Sequence, residues 1–202
     1  MKFPIPIPLA LFPIAIFAQP AKVSETLVWT TPEGWFGERI ELPPGFAPNM
    51  AWKGYEEIRF APGMFKAGQP DFFSYALVFS LEPDADISKD ALEKQILLYY
   101  QGLSTAVSRG KGRNVDASTF SVKVQPKESD PKGRKGTKQY TSTLHWIEPF
   151  ATGKPQALKI DILTWKDKAR KRTYLFFCAS PADKDDKIWK DLHGVRKGFR
   201  IE

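Results

Sequence analysis

Hydrophobic and polar positions change their period several times along this chain, and the changes predict strands, a helix, more strands and a second helix. Short runs rich in β-branched and aromatic residues, separated by turns that contain proline or glycine, predict strands. These runs are Leu27–Trp29, Glu38–Leu42, Tyr55–Phe60, Phe72–Leu81, Phe120–Val124, Gln139–Ile147, Ala157–Trp165, Thr173–Ala179 and a short last one at Gly198–Ile201.

A helical period replaces the strand pattern after the fourth run. Apolar residues then recur on one face of a helix, at Leu92, Ile96, Tyr99, Tyr100, Leu103 and Val107. Ser88 is placed to cap the first turn and Gly110 to end the last one. The pattern predicts a helix over about 88–109.

The C-terminal region predicts a second helix over about 181–196. Ser180 is a candidate N-cap, Pro181 suits the first helical position, and three aspartates follow near the positive end of the helix dipole. The apolar face consists of Ile188, Trp189, Leu192 and Val195.

Together these elements predict an α+β fold, a largely antiparallel sheet covered by two helices. In the run Ala157–Trp165, isoleucines and leucine alternate with Lys159 and Asp161. That alternation predicts a sheet with one face on the core and the other mostly in solvent. No low-complexity linker interrupts residues 19–202, so we expect one domain there.

The order of elements resembles the PsbP-like fold. Pro43-Pro44-Gly45-Phe46 lies where that family carries a proline followed by an aromatic residue, and Trp189–Phe199 is similar in character to its C-terminal helix. The stretch 47–70 is longer than the family pattern. The resemblance implies a fold that serves unrelated binding and accessory roles, so it implies no particular function.

Residues 1–18 have the three parts of a secretory signal peptide. Lys2 gives a basic start, the segment Phe3–Phe17 is apolar, and Ala18 is a small residue at its end. Four prolines in this segment disfavour a spanning helix, which argues against a membrane anchor. We therefore expect cleavage after Ala18 and an exported protein, periplasmic or secreted, with no transmembrane anchor after cleavage.

The cysteine content and the net charge indicate how the fold is stabilised and which partners are favoured, but they identify no function. The single Cys178 lies in an apolar run, so it is expected to be a buried structural residue in a fold without internal disulfides. The formal net charge of +7 favours anionic partners such as an envelope surface or polymer. The basic loops lack interleaved aromatics, and no specific nucleic-acid signal is present.

Catalytic chemistry has two candidate bases, His145 and His193, and neither has a recognisable motif around it. We interpret His145 as a cross-strand polar residue and His193 as a cation near the end of the last helix. Glu56 and Glu57 are adjacent on a predicted strand, so their side chains should point to opposite faces. A hydrolase-type enzyme with an unrecognised site around either histidine stays open as the alternative function.

No cofactor or metal site is predicted. Residues 84–95 begin like a calcium loop but have Lys89 where glycine is needed and Gln95 where glutamate is needed. Phe46-Ala47-Pro48-Asn49-Met50 and Phe60-Ala61-Pro62-Gly63-Met64 repeat one pattern that could supply thioethers to Cu(I). Two similar hydrophobic turns explain the repeat more simply.

The absence of a catalytic motif favours an exported, non-enzymatic binding or accessory domain. Candidate ligand contacts are the aromatic residues beside the first turn and the basic residues of the loop 126–138. They are Trp29, Trp35, Phe36, Arg134 and Lys135. Tryptophans that remain exposed at a turn could stack on a sugar or a protein ligand.

Overall fold

The computed structural model describes residues 25–128 and 136–202. The predicted signal peptide and the candidate contacts Arg134 and Lys135 lie outside these residues. Nine strands are described: β1 (Leu27–Val28), β2 (Phe36–Leu42), β3 (Gly54–Phe60), β4 (Tyr75–Leu81), β5 (Ser121–Lys127), β6 (Lys138–Glu148), β7 (Lys154–Asp167), β8 (Arg172–Ser180) and β9 (Arg200–Ile201). The helices are α1 (Lys89–Gly110) and α2 (Lys187–Gly198), with a short 3-10 helix at Ala117–Thr119.

Seven of the strands form one antiparallel sheet in the order β2-β3-β4-β8-β7-β6-β5. Strands β1 and β9 pair separately, with Leu27 opposite Ile201, and so bring the two ends of the described chain together. The predicted α+β class, with an antiparallel sheet and two helices, is confirmed. The edge strand β2 is mostly exposed, whereas every residue of the inner strand β4 is buried.

The prediction that one face of the sheet is mostly in solvent is wrong. Helix α1 packs on one face, where its apolar residues join a core with Leu77, Phe79 and Phe177. Helix α2 packs on the other face, where Trp189 joins a second core with Val78. The sheet therefore lies between two helical layers.

Helix α2 begins at Lys187, six residues after the predicted start, so the prediction of Ser180 as its N-cap is also wrong. Ser180 is the last residue of β8. Its hydroxyl accepts a hydrogen bond from the Ser74 hydroxyl at 2.8 Å and one from Ala182 N at 3.1 Å. These bonds fix a turn at residues 181–186 instead of a helix. By contrast Ser88 does cap α1, since its Oγ accepts from Ala91 N.

Cys178 is buried, as predicted. Its thiol donates to Leu192 O at 3.4 Å, and burial raises the pKa of the thiol to about 12. A thiol in that environment is a packing group and not a nucleophile.

Within the described ranges neither helix combines the length and the apolar character that a bilayer span requires.

Candidate functional site

An aromatic pocket lies between α1 and the β2–β3 edge of the sheet. Its volume is about 270 Å³, which is about twice the ~150 Å³ of an engineered cavity that binds benzene. The described residues that line this pocket are Glu38, Ile40, Phe46, Ile58, Phe60, Met64, Phe65, Phe73, Tyr75, Tyr99, Tyr100, Leu103 and Phe150. Because eight of these thirteen are aromatic, the pocket is suited to an apolar or ring-stacking ligand.

Phe46 closes the pocket on the helix side, and a glycine on α1 makes room for it. A Cβ at Gly102 would come within 2.1 Å of the Phe46 carbonyl oxygen. The backbone of the loop before β3 can therefore rest directly on α1. The Phe46 ring then packs edge-on against Tyr99, with centroids 5.0 Å apart.

The connection between β3 and β4 supplies three more lining residues and is fixed by hydrogen bonds. Gly63 N donates to Asp71 Oδ2 at 2.8 Å, and Phe73 N donates to Met64 O at 3.0 Å. Phe73 itself has a φ of 47°, a left-handed conformation that is rare for a bulky residue. The strain is tolerated because the Phe73 ring is buried against its neighbours, and it directs this ring into the pocket wall.

Phe150 reaches the pocket from the β6–β7 hairpin. A buried carboxylate, that of Glu148, holds this hairpin by accepting from the backbone N–H groups of Phe150, Ala151 and Thr152, and from the Thr152 hydroxyl. The Phe150 ring lies 5.3 Å from Phe65 and 5.9 Å from Phe73. The far end of the sheet thus contributes one wall of the pocket.

Hydroxyl and carboxyl groups lie behind the apolar lining. The hydroxyls of Tyr75 and Tyr100 hydrogen-bond to each other, and Tyr99 OH donates to Glu56 Oε1 at 2.8 Å. Burial raises the pKa of Glu56 to about 8; the Tyr99 hydrogen bond opposes this shift and the charge of Glu38 adds to it. Glu56 Oε2 is buried without a hydrogen-bond partner among the described residues. Burial of the Glu56 carboxyl therefore favours its protonated form.

The mouth of the pocket is at the edge strand β2. Glu38 and Ile40 line it, whereas Arg39 lies over the Tyr55 ring on the α2 side of the sheet. The side chains of a strand alternate between faces, so Phe36 shares the pocket side with Glu38. Phe36 and Phe65 are each 45% exposed, and their ring centroids are 6.3 Å apart. Two exposed aromatic rings therefore lie at the entrance.

Of the predicted ligand contacts, the structure separates Phe36 from the two tryptophans. Trp29 packs against Phe176 and Phe199 on the α2 side, and its indole N–H donates to Glu57 Oε1 at 2.8 Å. Trp35 packs against the same core. Phe36 instead packs on Phe60, a lining residue of the pocket. The role of all three in ligand contact stays a prediction.

The two histidines lie on different elements, and neither lines the aromatic pocket. His145 is exposed on β6, beside a shallow groove along the β5–β6 edge. His193 lies in the middle of α2 and not near its end, with Nε2 2.8 Å from Asp161 Oδ2. Burial opposes ionisation of Asp161, but hydrogen bonds from His193 and Lys184 outweigh it and lower the pKa to about 2. His193 and Lys184 therefore hydrogen-bond to a buried carboxylate on the face that was expected to be in solvent.

The repeated Phe-Ala-Pro-x-Met segments form core turns. Met50 and Met64 are both buried in the α1-side core, and Met64 also lines the pocket. In the described ranges, histidine, cysteine and carboxylate side chains form no group of three that could hold a metal ion.

The predicted alternation of Glu56 and Glu57 is confirmed, since Glu56 bonds to Tyr99 on one face and Glu57 to Trp29 on the other.

Two wider grooves border α1, but their lining suits a ligand less well. One, of about 510 Å³, runs between the loop at 45–49 and the middle of the helix. The other, of about 630 Å³, lies at the start of the helix and is lined by Glu82, Asp84, Asp86 and Asp90 among others. Both are more open to solvent than the aromatic pocket, and neither is lined mainly by aromatic side chains, so both suit an apolar ligand less well.

Comparison with known proteins gives no family. No family model matches the chain, and no curated protein matches it. One similar solved structure is that of LpqN from Mycobacterium tuberculosis, a protein described as involved in cell envelope biogenesis. It is 12% identical, its TM-score is 0.32, and the match covers 88% of this chain and 84% of LpqN. At that TM-score the likeness carries no argument about fold or function. The resemblance to the PsbP-like fold stays a prediction.

Proposed function

We propose that this protein is an exported, non-enzymatic binding domain whose ligand enters the aromatic pocket between α1 and the β2–β3 edge. The observation that carries the proposal is the pocket itself, a partly open cavity with a mainly apolar, aromatic lining, beside which Phe36 and Phe65 are exposed. Contiguous exposed apolar surface is a common feature of sites that bind a ligand or a partner.

The arrangement of the polar groups favours binding over hydrolysis. Neither His145 nor His193 lines the pocket. The titratable groups in or behind its lining are phenols with raised pKa values, the buried Glu56, whose pKa is raised by burial, and Glu38 at the exposed mouth. A general base needs to be near the reacting atom and ionised at the working pH. The groups at this pocket are therefore better suited to binding a ligand than to transferring a proton.

Filling the pocket should weaken binding of an apolar probe. We expect 2-naphthol, a neutral two-ring compound, to bind the wild type at one site. Ile40→Trp places an indole in the volume that the probe needs and should weaken this binding by about tenfold or more, which is a loss of about 1.4 kcal/mol or more. Isothermal titration calorimetry measures both affinities.

Glu41, the residue next to Ile40, provides a matched control because its side chain lies on the opposite face of the strand. Glu41 lies on β2 beside Ile40 and is exposed, with its side chain on the other face of the strand. Glu41→Trp should bind 2-naphthol within about twofold of the wild type. If Ile40→Trp fails to fold, Leu103→Trp fills the same pocket from α1. Equal binding by the folded filling variant and the wild type would show that the probe binds elsewhere.

We also propose that the protein reaches the envelope by cleavage after Ala18. The first described residue, Glu25, is buried in the fold, and six residues separate it from the predicted cleavage site. Cleavage there leaves the described fold whole. N-terminal sequencing of the full chain, expressed in a bacterial host and recovered from the periplasm or medium, should read from Gln19. Recovery only of chains that retain residues 1–18 would contradict this proposal.

A further inference from the structure

The aromatic pocket combines rings with negative charge and lacks positive charge among its described residues. Glu38 is the charged residue in the described lining, and neither lysine nor arginine lines it. The charge of Glu38 contributes to the raised pKa of Glu56, so its field reaches the carboxyl behind the pocket. This charge distribution contrasts with the chain as a whole, whose net charge is +7.

On the opposite face of the sheet, aromatic rings already have cations over them. Arg39 lies 3.5 Å from the centroid of the Tyr55 ring, Arg59 lies 4.9 Å from that of Trp29, and Lys184 lies 3.1 Å from that of Trp189. The alternation of β2 and β3 side chains directs Arg39 and Arg59 away from the pocket. The pocket therefore keeps its rings and its carboxylate available for a cation from outside the described chain.

Building on the proposed function, we propose that the pocket takes a cationic ligand group, a quaternary ammonium or alkylammonium carried on a short apolar chain. Aromatic rings attract a cation through their quadrupole, and cages of such rings bind quaternary ammonium groups. Eight aromatic lining residues and Glu38 at the mouth provide both elements of such a cage. A carboxylate ligand of the same length would meet Glu38 and is disfavoured.

The size of the cavity agrees with this class of ligand. A volume of about 270 Å³ leaves room for a trimethylammonium head with a few carbon atoms attached, and not for a long double chain. A longer apolar tail would extend over the exposed rings of Phe36 and Phe65. The ligand class is thus a small cation, or a larger amphiphile whose cationic end enters the pocket.

Three probes of equal chain length test the charge preference. Hexyltrimethylammonium, 1-hexanol and hexanoate are compared as competitors of 2-naphthol, by calorimetry at low salt. The comparison is made at pH 6.5, below the raised pKa of about 8 of the buried Glu56, so that Glu38 is the carboxyl group under test. The cation should bind at least about fivefold more tightly than 1-hexanol, consistent with the strength of cation–π contacts, and hexanoate should bind most weakly.

Removal of the charge at the mouth gives the matched comparison. Glu38→Gln should weaken hexyltrimethylammonium by about two- to fivefold, the effect of an exposed ion pair, and leave 1-hexanol unchanged. Glu41→Gln removes a charge from the same strand on the other face and should change neither.

The outcomes separate this inference from the proposed function. If 2-naphthol binds but the cation shows no preference over 1-hexanol, or Glu38→Gln leaves the preference intact, the charge inference is wrong and the pocket still binds apolar groups. If neither 2-naphthol nor any of the three competitors binds, the proposed function fails as well.

Discussion

Replacing Trp189 with alanine is expected to lower the free energy of unfolding by about 3–5 kcal/mol, the range for truncating a buried aromatic side chain to alanine. Trp189 is 1% exposed and lies at the centre of the core between α2 and the sheet. Its indole N–H donates to Ala182 O at 3.1 Å, and Lys184 lies over its ring. The loss therefore combines a cavity, a broken hydrogen bond and a lost cation–π contact.

Urea unfolding followed by circular dichroism measures this effect. Lys190 is the neighbouring residue on the exposed side of α2, and Lys190→Ala should change the free energy of unfolding by less than about 0.5 kcal/mol. A small effect of Trp189→Ala, similar to that of Lys190→Ala, would mean that α2 does not cover the second face of the sheet.

Replacing Glu25 with alanine should lower the free energy of unfolding by about 2–4 kcal/mol, because the change leaves buried hydroxyl groups without their acceptor. Glu25 is 8% exposed, and its carboxylate accepts hydrogen bonds from Tyr55, Ser80 and Tyr174 on three different strands. This cluster holds the N-terminal end of the described chain against the sheet.

The contribution of Glu25 should depend on pH. Burial opposes its ionisation, but the hydrogen bonds from Ser80, Tyr174 and Tyr55 outweigh burial and lower the pKa of Glu25 below its ordinary value of 4.5. A lowered pKa in the folded state stabilises the fold above pH 4.5, and this stabilisation is lost as the pH falls through the folded pKa.

Urea unfolding at pH 7 and at pH 3 tests this dependence. The difference between wild type and Glu25→Gln should be larger at pH 7 than at pH 3. Glu33→Gln, at an exposed turn of the same segment, serves as the control and should have little effect at either pH. A difference that grows towards low pH would mean that Glu25 is not ionised in the fold.

Local patterns predicted the elements well where the signal is local. The face Leu92–Val107 and the cap at Ser88 give α1 within a residue of its observed bounds, because period and capping act within one turn. The start of α2 was misplaced because the Ser180 hydroxyl bonds to Ser74, a residue 106 positions away. A pattern of neighbouring residues cannot predict a hydrogen bond between residues that are so far apart in the sequence.

Burial of the second sheet face was missed for a similar reason. Lys159 and Asp161 look like residues of an exposed face. In the fold, Asp161 is buried because Lys184 and His193 supply its partners at 2.7 Å and 2.8 Å. A charged residue on a strand indicates solvent only when no paired cation arrives from elsewhere in the chain.

The pocket could be predicted only in part. Phe36 was singled out as a candidate contact, and it lies at the rim. The other lining residues come from separate strands, loops and α1, so their convergence depends on the sheet order. One usable signal was the concentration of phenylalanines at 60–73, a segment that begins within the stretch 47–70 and runs past its end.

Nuclear magnetic resonance of methyl-labelled protein tests the central claim most directly, because it locates the bound probe. Titration with 2-naphthol should shift the methyl signals of Ile40, Ile58 and Leu103, which line the pocket from β2, β3 and α1. Val195 and Leu192 belong to α2 and are buried in the core on the other face of the sheet, so their methyl signals should stay unchanged. Saturable shifts at Val195 and Leu192, with none at the three pocket residues, would contradict the account.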